Sequence, residues 1–449
     1  MIDLGIKKLA EILKAKATET SDLKPILSNV CIDSRKVIPG SVFFAIKGEN
    51  HVGHDDLIQV FECGAACAVC RVGFSLRGII NKHILYVDDT TAALGQLAKY
   101  IRENSSYKVV AITGSAGKTT TKNIISHVLK NHFKCYSSPK SFNNNIGVPL
   151  TILEAPNDTD ILVSELGSNH PGEIAYLTKI ASPDIALVTS IVPAHLEGFG
   201  SLQAIQKEKS SISLGLKKEG RFFIPDCLAE YCISQGIKYE LFKKFQNVQL
   251  GGYESTFEIE GVTVKLPLPG RANVQNAAAA WTVCKNLGIS ASQFAMSVAS
   301  IKPVDMRMEC LKFGSAMVLA DCYNANPGSM ANALETLHLI SQQEKRRPVF
   351  IFGRMGELGN HSEALHAQLG NEILRYKIPL ALTIKGDCSI TAETAQKGAD
   401  YGVNVNVFEN LAQLCDNMYK FLKPDDIILI KASRSERFET VVEKLKGIL

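Results

Sequence analysis

No stretch of this 449-residue sequence is an unbroken apolar run of the ~20 residues needed to cross a bilayer, so no membrane span is expected. Charge of one sign is equally scarce. The formal net charge is +4, spread without long runs, which argues against a nucleic-acid surface and leaves room for a local basic pocket that meets an acidic small molecule. No repeat period and no low-complexity tract stands out, which excludes solenoids and structureless arrays. The N-terminus lacks the pattern of a secretory leader: residues 1–16 read as an amphipathic helix carrying Asp3 and Glu11. A cytoplasmic protein with reduced cysteines is therefore expected.

What is present is the composition of a globular protein, 46% hydrophobic and 21% charged, with length for two or three domains. Twelve cysteines are present, and three of them, Cys63, Cys67 and Cys70, have a C-x₃-C-x₂-C spacing that also occurs where thiolates hold an iron–sulfur cluster. Gly64 stands where a C-cap is expected after a helix over 55–62. Residues 65–72 then read as a buried strand, in which cysteine is a small hydrophobe. The spacing is taken as a decoy.

The centre of the chain is residues 109–120. A β-branched apolar segment (109–112) runs through Gly114-Ser115-Ala116-Gly117 into Lys118-Thr119-Thr120, and Ile124, Ile125, Val128 and Leu129 then recur at helical spacing. That is strand, loop, helix. Unpartnered N–H groups and the positive end of the macrodipole meet there, which suits a phosphate chain. Lys118 can reach the β/γ-phosphates and Thr119 can ligate Mg²⁺. The usual phosphate-loop pattern has a glycine where Ile112 stands, so the match is the shorter Gly114-x-x-Gly117-Lys118-Thr119. An ordinary strand-to-helix turn is the alternative.

Residues 1–105 read as short strands and helices punctuated by Gly and Pro. Asp33-Ser34-Arg35 precedes a strand over 41–46, and Lys47-Gly48-Glu49 and Val52-Gly53-His54 follow. Such a polar triplet is ordinarily a turn with a solvated Arg, a ligand role being the alternative. Over 106–310 strands and helices alternate, which implies a mostly parallel sheet that binds ligands beyond the carboxyl ends of its strands. A buried strand over 160–164 ends at Glu165, a natural Mg²⁺ partner beside a phosphate loop, or else a helix cap. A second strand over 185–189 leads to His195 on the same edge; a lone His there is more often structural. Between them, Asn143, Asn144 and Asn145 lie in a loop expected over 141–149. Lys207-Glu208-Lys209 lies on a helix and reads as a solvated face. A helix is expected from about Asn273 to Asn286, with Asn273 and Asn276 in its first turn. From 311 to 449 the alternation restarts, with strands over 316–320, 348–352, 380–384, 403–408 and 427–430, as in a second open α/β domain whose strand ends face the first. By residues alone this is an ATP- or GTP-using, Mg²⁺-dependent enzyme: a kinase, an NTP-driven ligase or a regulatory NTPase.

The order of motifs narrows the choice. Residues 113–120, Asn143-Asn144-Asn145-Ile146-Gly147-Val148-Pro149, Glu165-Leu166-Gly167, Ala194-His195-Leu196-Glu197 and Asn273-x-x-Asn276 resemble, in sequence and order, the motifs of the Mur ligase family. The resemblance covers essentially the whole chain. It implies three α/β domains: a small UDP-substrate domain (1–105), a central ATP-binding domain (106–310) and a C-terminal Rossmann-like ligase domain (311–449). Residues 165–174, 195–201, 321–327 and 355–359 are most similar to members that add D-alanyl-D-alanine to UDP-N-acetylmuramoyl-tripeptide in peptidoglycan precursor synthesis. The Asp-Asn-Pro-Arg motif of a sister ligase is absent.

The resemblance implies ATP and Mg²⁺ as cofactors, an acyl-phosphate intermediate, and roles for particular residues. Gly114 to Thr120 would hold the ATP phosphates, with Thr119 on one Mg²⁺. Glu165 and His195 would hold a second, and Lys209 would serve as a metal-binding carbamate. Asn273, Asn276, Arg307 and Asp321 would reach ATP. Asp33, Ser34, Arg35, Gly48, Glu49, Asn143 and Asn144 would be on the UDP-substrate side. A monomer with hinges near residues 105 and 310 is expected. Three positions depart from the family pattern: Val52 before Gly53-His54, Arg354 in Arg354-Met355-Gly356-Glu357-Leu358-Gly359, and Ala432 in Lys431-Ala432-Ser433-Arg434.

Overall fold

The computed structural model describes residues 4–18, 28–48, 51–74, 79 and 81–449. Four sheets follow one another along the chain. The first contains β1 (Lys16–Ala17), β2 (Asn29–Cys31), β3 (Ser41–Phe44), β4 (Cys67–Arg71) and β5 (Ile84–Val87), in the order β1-β5-β4-β3-β2, with only β1 antiparallel. The N-terminal helix is Ile6–Leu13, shorter than expected because Lys16 and Ala17 pair with β5. Within β4, Cys67 packs on one face of the sheet and Cys70 on the other, while Cys63 is exposed. Burial pushes the Cys70 thiol up to about 12. Thiols on opposite faces cannot share one cluster.

The second sheet is β6 (Lys108–Thr113), β7 (Cys135–Ser137), β8 (Ile161–Glu165), β9 (Ile185–Val188), β10 (Arg221–Ile224) and β11 (Glu240–Leu241). It is wholly parallel, in the order β11-β10-β9-β6-β8-β7. Its central strands are apolar on both faces because helices cover both: Val110 and Ile112 pack on one side, Val109 and Ala111 on the other. After β6 the chain passes to β7 and β8 on one side and then returns to β9 on the other. The crevice at the carboxyl end of β6 is thus a topological switch point, the expected place for a ligand. The simple alternation expected over 106–310 is interrupted by an antiparallel meander, β12 (Gln246–Leu250), β13 (Ser255–Ile259) and β14 (Val262–Leu266). In β13 and β14 buried residues alternate with more exposed ones, a period-two pattern that marks strands with one wet face.

The last sheet is β15 (Glu309–Phe313), β16 (Ala316–Ala320), β17 (Pro348–Phe352), β18 (Leu380–Ile384), β19 (Asn404–Phe408) and β20 (Ile427–Lys431), in the order β15-β16-β20-β17-β18-β19. All are parallel except the edge strand β15, which sequence pattern alone did not separate from its neighbour. The carboxyl ends of β16 and β20 carry Asp321 and Lys431 toward the central sheet.

The first two sheets are tied together through one buried side chain. In the helix Thr90–Glu103, Arg102 is fully buried and donates to the carbonyls of Ala181, Tyr107 and Ser182 and to the Asp184 carboxylate at 2.8–3.1 Å. The same carboxylate oxygen accepts from Val109 N at the start of β6. The hinge expected near residue 105 lies inside this knot, so swinging there would break it. Arg102→Leu takes a donor from three carbonyls and the buried cation from Asp184, which keeps Val109 N and Lys217, and should destabilise the protein by about 3 kcal/mol. Denaturant titration checks this; a change under about 1 kcal/mol would contradict the pinned junction.

Candidate active site

β6 ends at Thr113 and the helix Lys118–Lys130 begins five residues on. The turn between them needs glycine at two places. Gly114 has φ +143° and Gly117 φ +80°, and a Cβ at either would collide with Thr189 Oγ1 or Asn276 Oδ1. Ser115 N donates to Ser190 O at 2.9 Å, and Ala116 N to Ser190 Oγ at 3.0 Å. Those two amides therefore anchor the loop, which leaves the first turn of the helix, Lys118 to Thr120, to meet a phosphate chain. Lys118 Nζ donates to Gly114 O at 2.7 Å. Burial pulls its pKa down, and the Glu165 carboxylate opposes that shift.

Glu165 is the last residue of β8 and is fully buried. One carboxylate oxygen accepts from Thr119 Oγ1 at 2.8 Å and the other from Asn143 Nδ2 at 2.9 Å. Lys122 Nζ stands 4.0 Å away, donating to the carbonyls of Ser138 and Lys140; burial lowers its pKa too. Sequence reading missed Lys122. Its signal was its position four residues after Lys118, one turn along the same helix face. The loop expected over 141–149 ends at Ile146, and a helix, Gly147–Leu153, starts there. Pro149 is tolerated because it lies in the first turn. Asn144 Oδ1 caps this helix, accepting from Ile146 N and Gly147 N.

Lys207-Glu208-Lys209 is not the solvated face that composition suggested: Glu208 and Lys209 are both buried. Glu208 accepts from Gly172 N and Ile174 N, capping the helix Glu173–Ala181. Lys209 Nζ donates to Ser168 Oγ at 2.7 Å. It lies behind Ser168, which itself lines the cavity described below. Burial, with Lys118 nearby, brings the Lys209 pKa from 10.5 down to about 7. Below that pH the ammonium is charged in folded and unfolded chains alike, and its burial cost is felt in full. From about pH 7 to 10.5 the unfolded chain keeps a proton that the folded chain has released, so this group's contribution to stability rises with pH. Denaturant titrations in carbonate-free buffer should show the native protein gaining stability relative to Lys209→Met between pH 7 and pH 9. Parallel profiles would contradict this.

His195 begins the short helix Leu196–Phe199 in a left-handed conformation, φ +52°. Its Nδ1 pairs with the carboxylate of Glu357, itself left-handed at φ +61°. The Glu357 carbonyl accepts from Glu197 N at 3.0 Å, and His195 lowers the pKa of the Glu357 carboxyl. This contact joins the central sheet's edge to the last sheet.

Many of these groups, though not Gly114, Lys122, Glu208, Lys209 or Glu357, line one cavity of about 600 Å³ between the second and fourth sheets. It includes the phosphate loop, Glu165 and His195 on one wall, with Asn143 and Asn144 beside them. Asn273 and Asn276 enter from the first turns of the helix Arg271–Asn286. Opposite stand Arg307, Asp321 and Lys431. Arg307 stacks on the Tyr323 ring, 4.0 Å from its centroid. Asp321 accepts from Lys431 Nζ at 2.6 Å and from Met308 N at 3.1 Å. A smaller cavity of about 130 Å³ adjoins it, lined by His195, Asn324, Asn326, Glu357, Ser433 and Arg434 among others.

Asp33, Ser34, Arg35 and Gly48 do not line either cavity; they belong to the first sheet's surroundings. Asp33 caps the turn Ser34–Lys36 and forks onto Arg35, which holds its carboxyl at about 2. Glu49 lies outside the described residues. Of the departures, Arg354 pairs with Glu436 at 3.4 Å, and Ala432 is buried against Gly353. His54, after Val52, is buried and accepts from Arg71 N at 3.0 Å.

A phosphate loop whose threonine meets a buried carboxylate, roofed by a second α/β unit, has the shape and donors that suit a nucleotide. Residues 112–284 match the model of the Mur ligase middle domain, and residues 306–434 that of the Mur ligase glutamate ligase domain. The chain belongs to the Mur ligase family. It is 32% identical over 459 residues to the UDP-N-acetylmuramoyl-tripeptide–D-alanyl-D-alanine ligase of Bacillus subtilis, with 99% of each chain covered. Among solved structures, MurF from Acinetobacter baumannii superposes with a TM-score of 0.89 at 28% identity, covering 99% of this chain and 98% of that one. MurF from Thermotoga maritima, in complex with ADP, gives a TM-score of 0.81 at 26% identity over 94% and 97%. The three-domain Mur ligase architecture is that of these structures.

Proposed function

We propose that this Mur ligase joins D-alanyl-D-alanine to UDP-N-acetylmuramoyl-tripeptide at the expense of ATP, as a cytoplasmic step in peptidoglycan precursor synthesis. The observation that carries it is the Thr119–Glu165–Asn143 chain of hydrogen bonds, set between the phosphate loop and the wall carrying Asp321 and Lys431, in a chain similar end to end to ligases of that name.

Among the described residues no three His, Cys, Asp or Glu side chains are grouped to hold a metal. That donor count still fits Mg²⁺, which keeps several waters and takes one or two protein oxygens together with substrate phosphates. The Thr119 hydroxyl and Glu165 carboxylate are hard oxygen donors 2.8 Å apart on the cavity wall. Thr119 would hold one Mg²⁺, and Glu165 with His195 a second nearer the substrate carboxylate, where a carbamylated Lys209 would add a ligand. When bound, the ion offsets charge on the phosphates.

Lys118 and the amides of its helix turn orient the triphosphate and balance charge on the γ-phosphoryl group. The tripeptide's terminal carboxylate attacks the γ-phosphorus, giving an acyl phosphate and ADP. The dipeptide's amine then attacks the acyl carbon, loses its proton, and phosphate departs as the amide forms. The small cavity between His195 and Arg434 has a carboxylate, Glu357, and a cation, Arg434, which suit the ammonium and carboxylate ends of a zwitterionic dipeptide. Phosphate release should require both the UDP-tripeptide and D-alanyl-D-alanine. Turnover with a single amino acid would mean a sister ligase, and turnover with no amine acceptor would overturn the ligase assignment.

A further inference from the structure

Tyr323 follows β16 by three residues and belongs to the C-terminal unit, yet its hydroxyl donates to Ser141 Oγ of the central unit at 2.8 Å. Its ring carries the Arg307 guanidinium at 4.0 Å on the way to the phosphate loop. Ser141 sits in a short segment held at several other points. Lys122 of the phosphate-loop helix binds the carbonyls of Ser138 and Lys140, and Lys140 is left-handed at φ +45°. Phe142 N closes a turn onto Pro139 O at 3.0 Å. Asn143 donates to Glu165.

We propose that Tyr323 is a positioning residue: by binding Ser141 it docks the C-terminal unit onto the 138–143 segment and so fixes Asn143 against Glu165. This rests on the ligase reading of the site. The arrangement gives the tyrosine two separable parts. Its hydroxyl ties the C-terminal unit to the segment that orients Glu165, and its ring holds Arg307 by cation–π stacking. Seating the unit that bears the dipeptide side then tightens the hold on Glu165, which Thr119 already grips through its other oxygen.

Tyr323→Phe removes the hydroxyl and keeps the ring. It should lower ligation kcat about tenfold, the loss set by one well-placed hydrogen bond, and leave the affinity for a fluorescent ATP analogue within about twofold. Ser141→Ala should do the same. The double variant should be no slower than either single one, because both remove one bond. Tyr323→Leu should in addition weaken the ATP analogue, since Arg307 loses its platform. Amide hydrogen exchange over residues 138–147, which needs no turnover, should quicken in Tyr323→Phe and in Ser141→Ala. Full turnover with unchanged exchange in Tyr323→Phe, or losses that multiply in the double variant, would overturn the proposal. Failure of the native protein to ligate while exchange still responds would count against the assigned reaction and leave the docking role standing.

Discussion

Lys118→Ala is expected to lower ATP-dependent phosphate release about a thousandfold, with little change in melting temperature. The side chain starts the helix Lys118–Lys130 and, among the described residues, donates to the Gly114 carbonyl, so alanine, a better helix former, removes one hydrogen bond that the turn's other ties can spare. What is lost is a cation in a cavity that already places Glu165 nearby. Without it, charge shifting on the γ-phosphoryl group during transfer loses the one lysine that the loop itself supplies, and the helix turn, Arg307 and bound Mg²⁺ carry what remains. Lys118→Arg should not restore the rate, since a planar fork cannot substitute for a compact ammonium in a turn this tight. Steady-state phosphate assays with the UDP-tripeptide and dipeptide both saturating would check this. A variant within tenfold of the native rate would remove Lys118 from the reaction.

Glu165→Gln should cost about a hundredfold or more in turnover while the fold survives. The amide can still accept from Asn143 and can donate to Thr119, so both neighbours keep partners. Its loss of charge is the point. Lys122, 4.0 Å away and buried, would be left with only carbonyl partners, so its pKa would fall further. Raising Mg²⁺ should rescue little, because the hard anionic oxygen is gone. Isothermal titration of Mg²⁺ with an ATP analogue should show weakened ion binding in Glu165→Gln; unchanged binding and turnover would make Glu165 structural.

Much of this was legible beforehand for plain physical reasons. Fully buried parallel strands read as continuous apolar runs, so β6, β8, β9, β16, β17 and β18 were found to within a residue or two of their ends. The phosphate loop declared itself through two glycines whose backbone conformations other residues adopt only with strain. Where sequence failed, tertiary contacts decided. Lys207-Glu208-Lys209 has the composition of a wet helix face, but the carboxylate of Glu208 caps another helix and Lys209 reaches Ser168. Lys122 drew no reading from the sequence, because what buries it is the distant 138–143 segment, whose Ser138 and Lys140 carbonyls accept from it. The meander β12–β14 was hidden because short alternating strands carry a weak signal between longer elements. Arg102 also gave no hint, since most of its partners, the Ala181 and Ser182 carbonyls and the Asp184 carboxylate, lie about 80 residues away. The contacts across the two α/β units, His195 with Glu357 and Tyr323 with Ser141, join residues more than 160 positions apart. No local pattern encodes them.

One measurement bears most directly on the claim that this cavity activates a carboxylate for attack by an amine. The tripeptide's terminal carboxylate is labelled with ¹⁸O, and the phosphate released during turnover with ATP, Mg²⁺ and D-alanyl-D-alanine is analysed by mass spectrometry. Passage through an acyl phosphate transfers one carboxylate oxygen to phosphate, so each phosphate formed with product should carry a single ¹⁸O. Phosphate released without label would mean that water, and not the tripeptide, takes the γ-phosphoryl group, and would contradict the account.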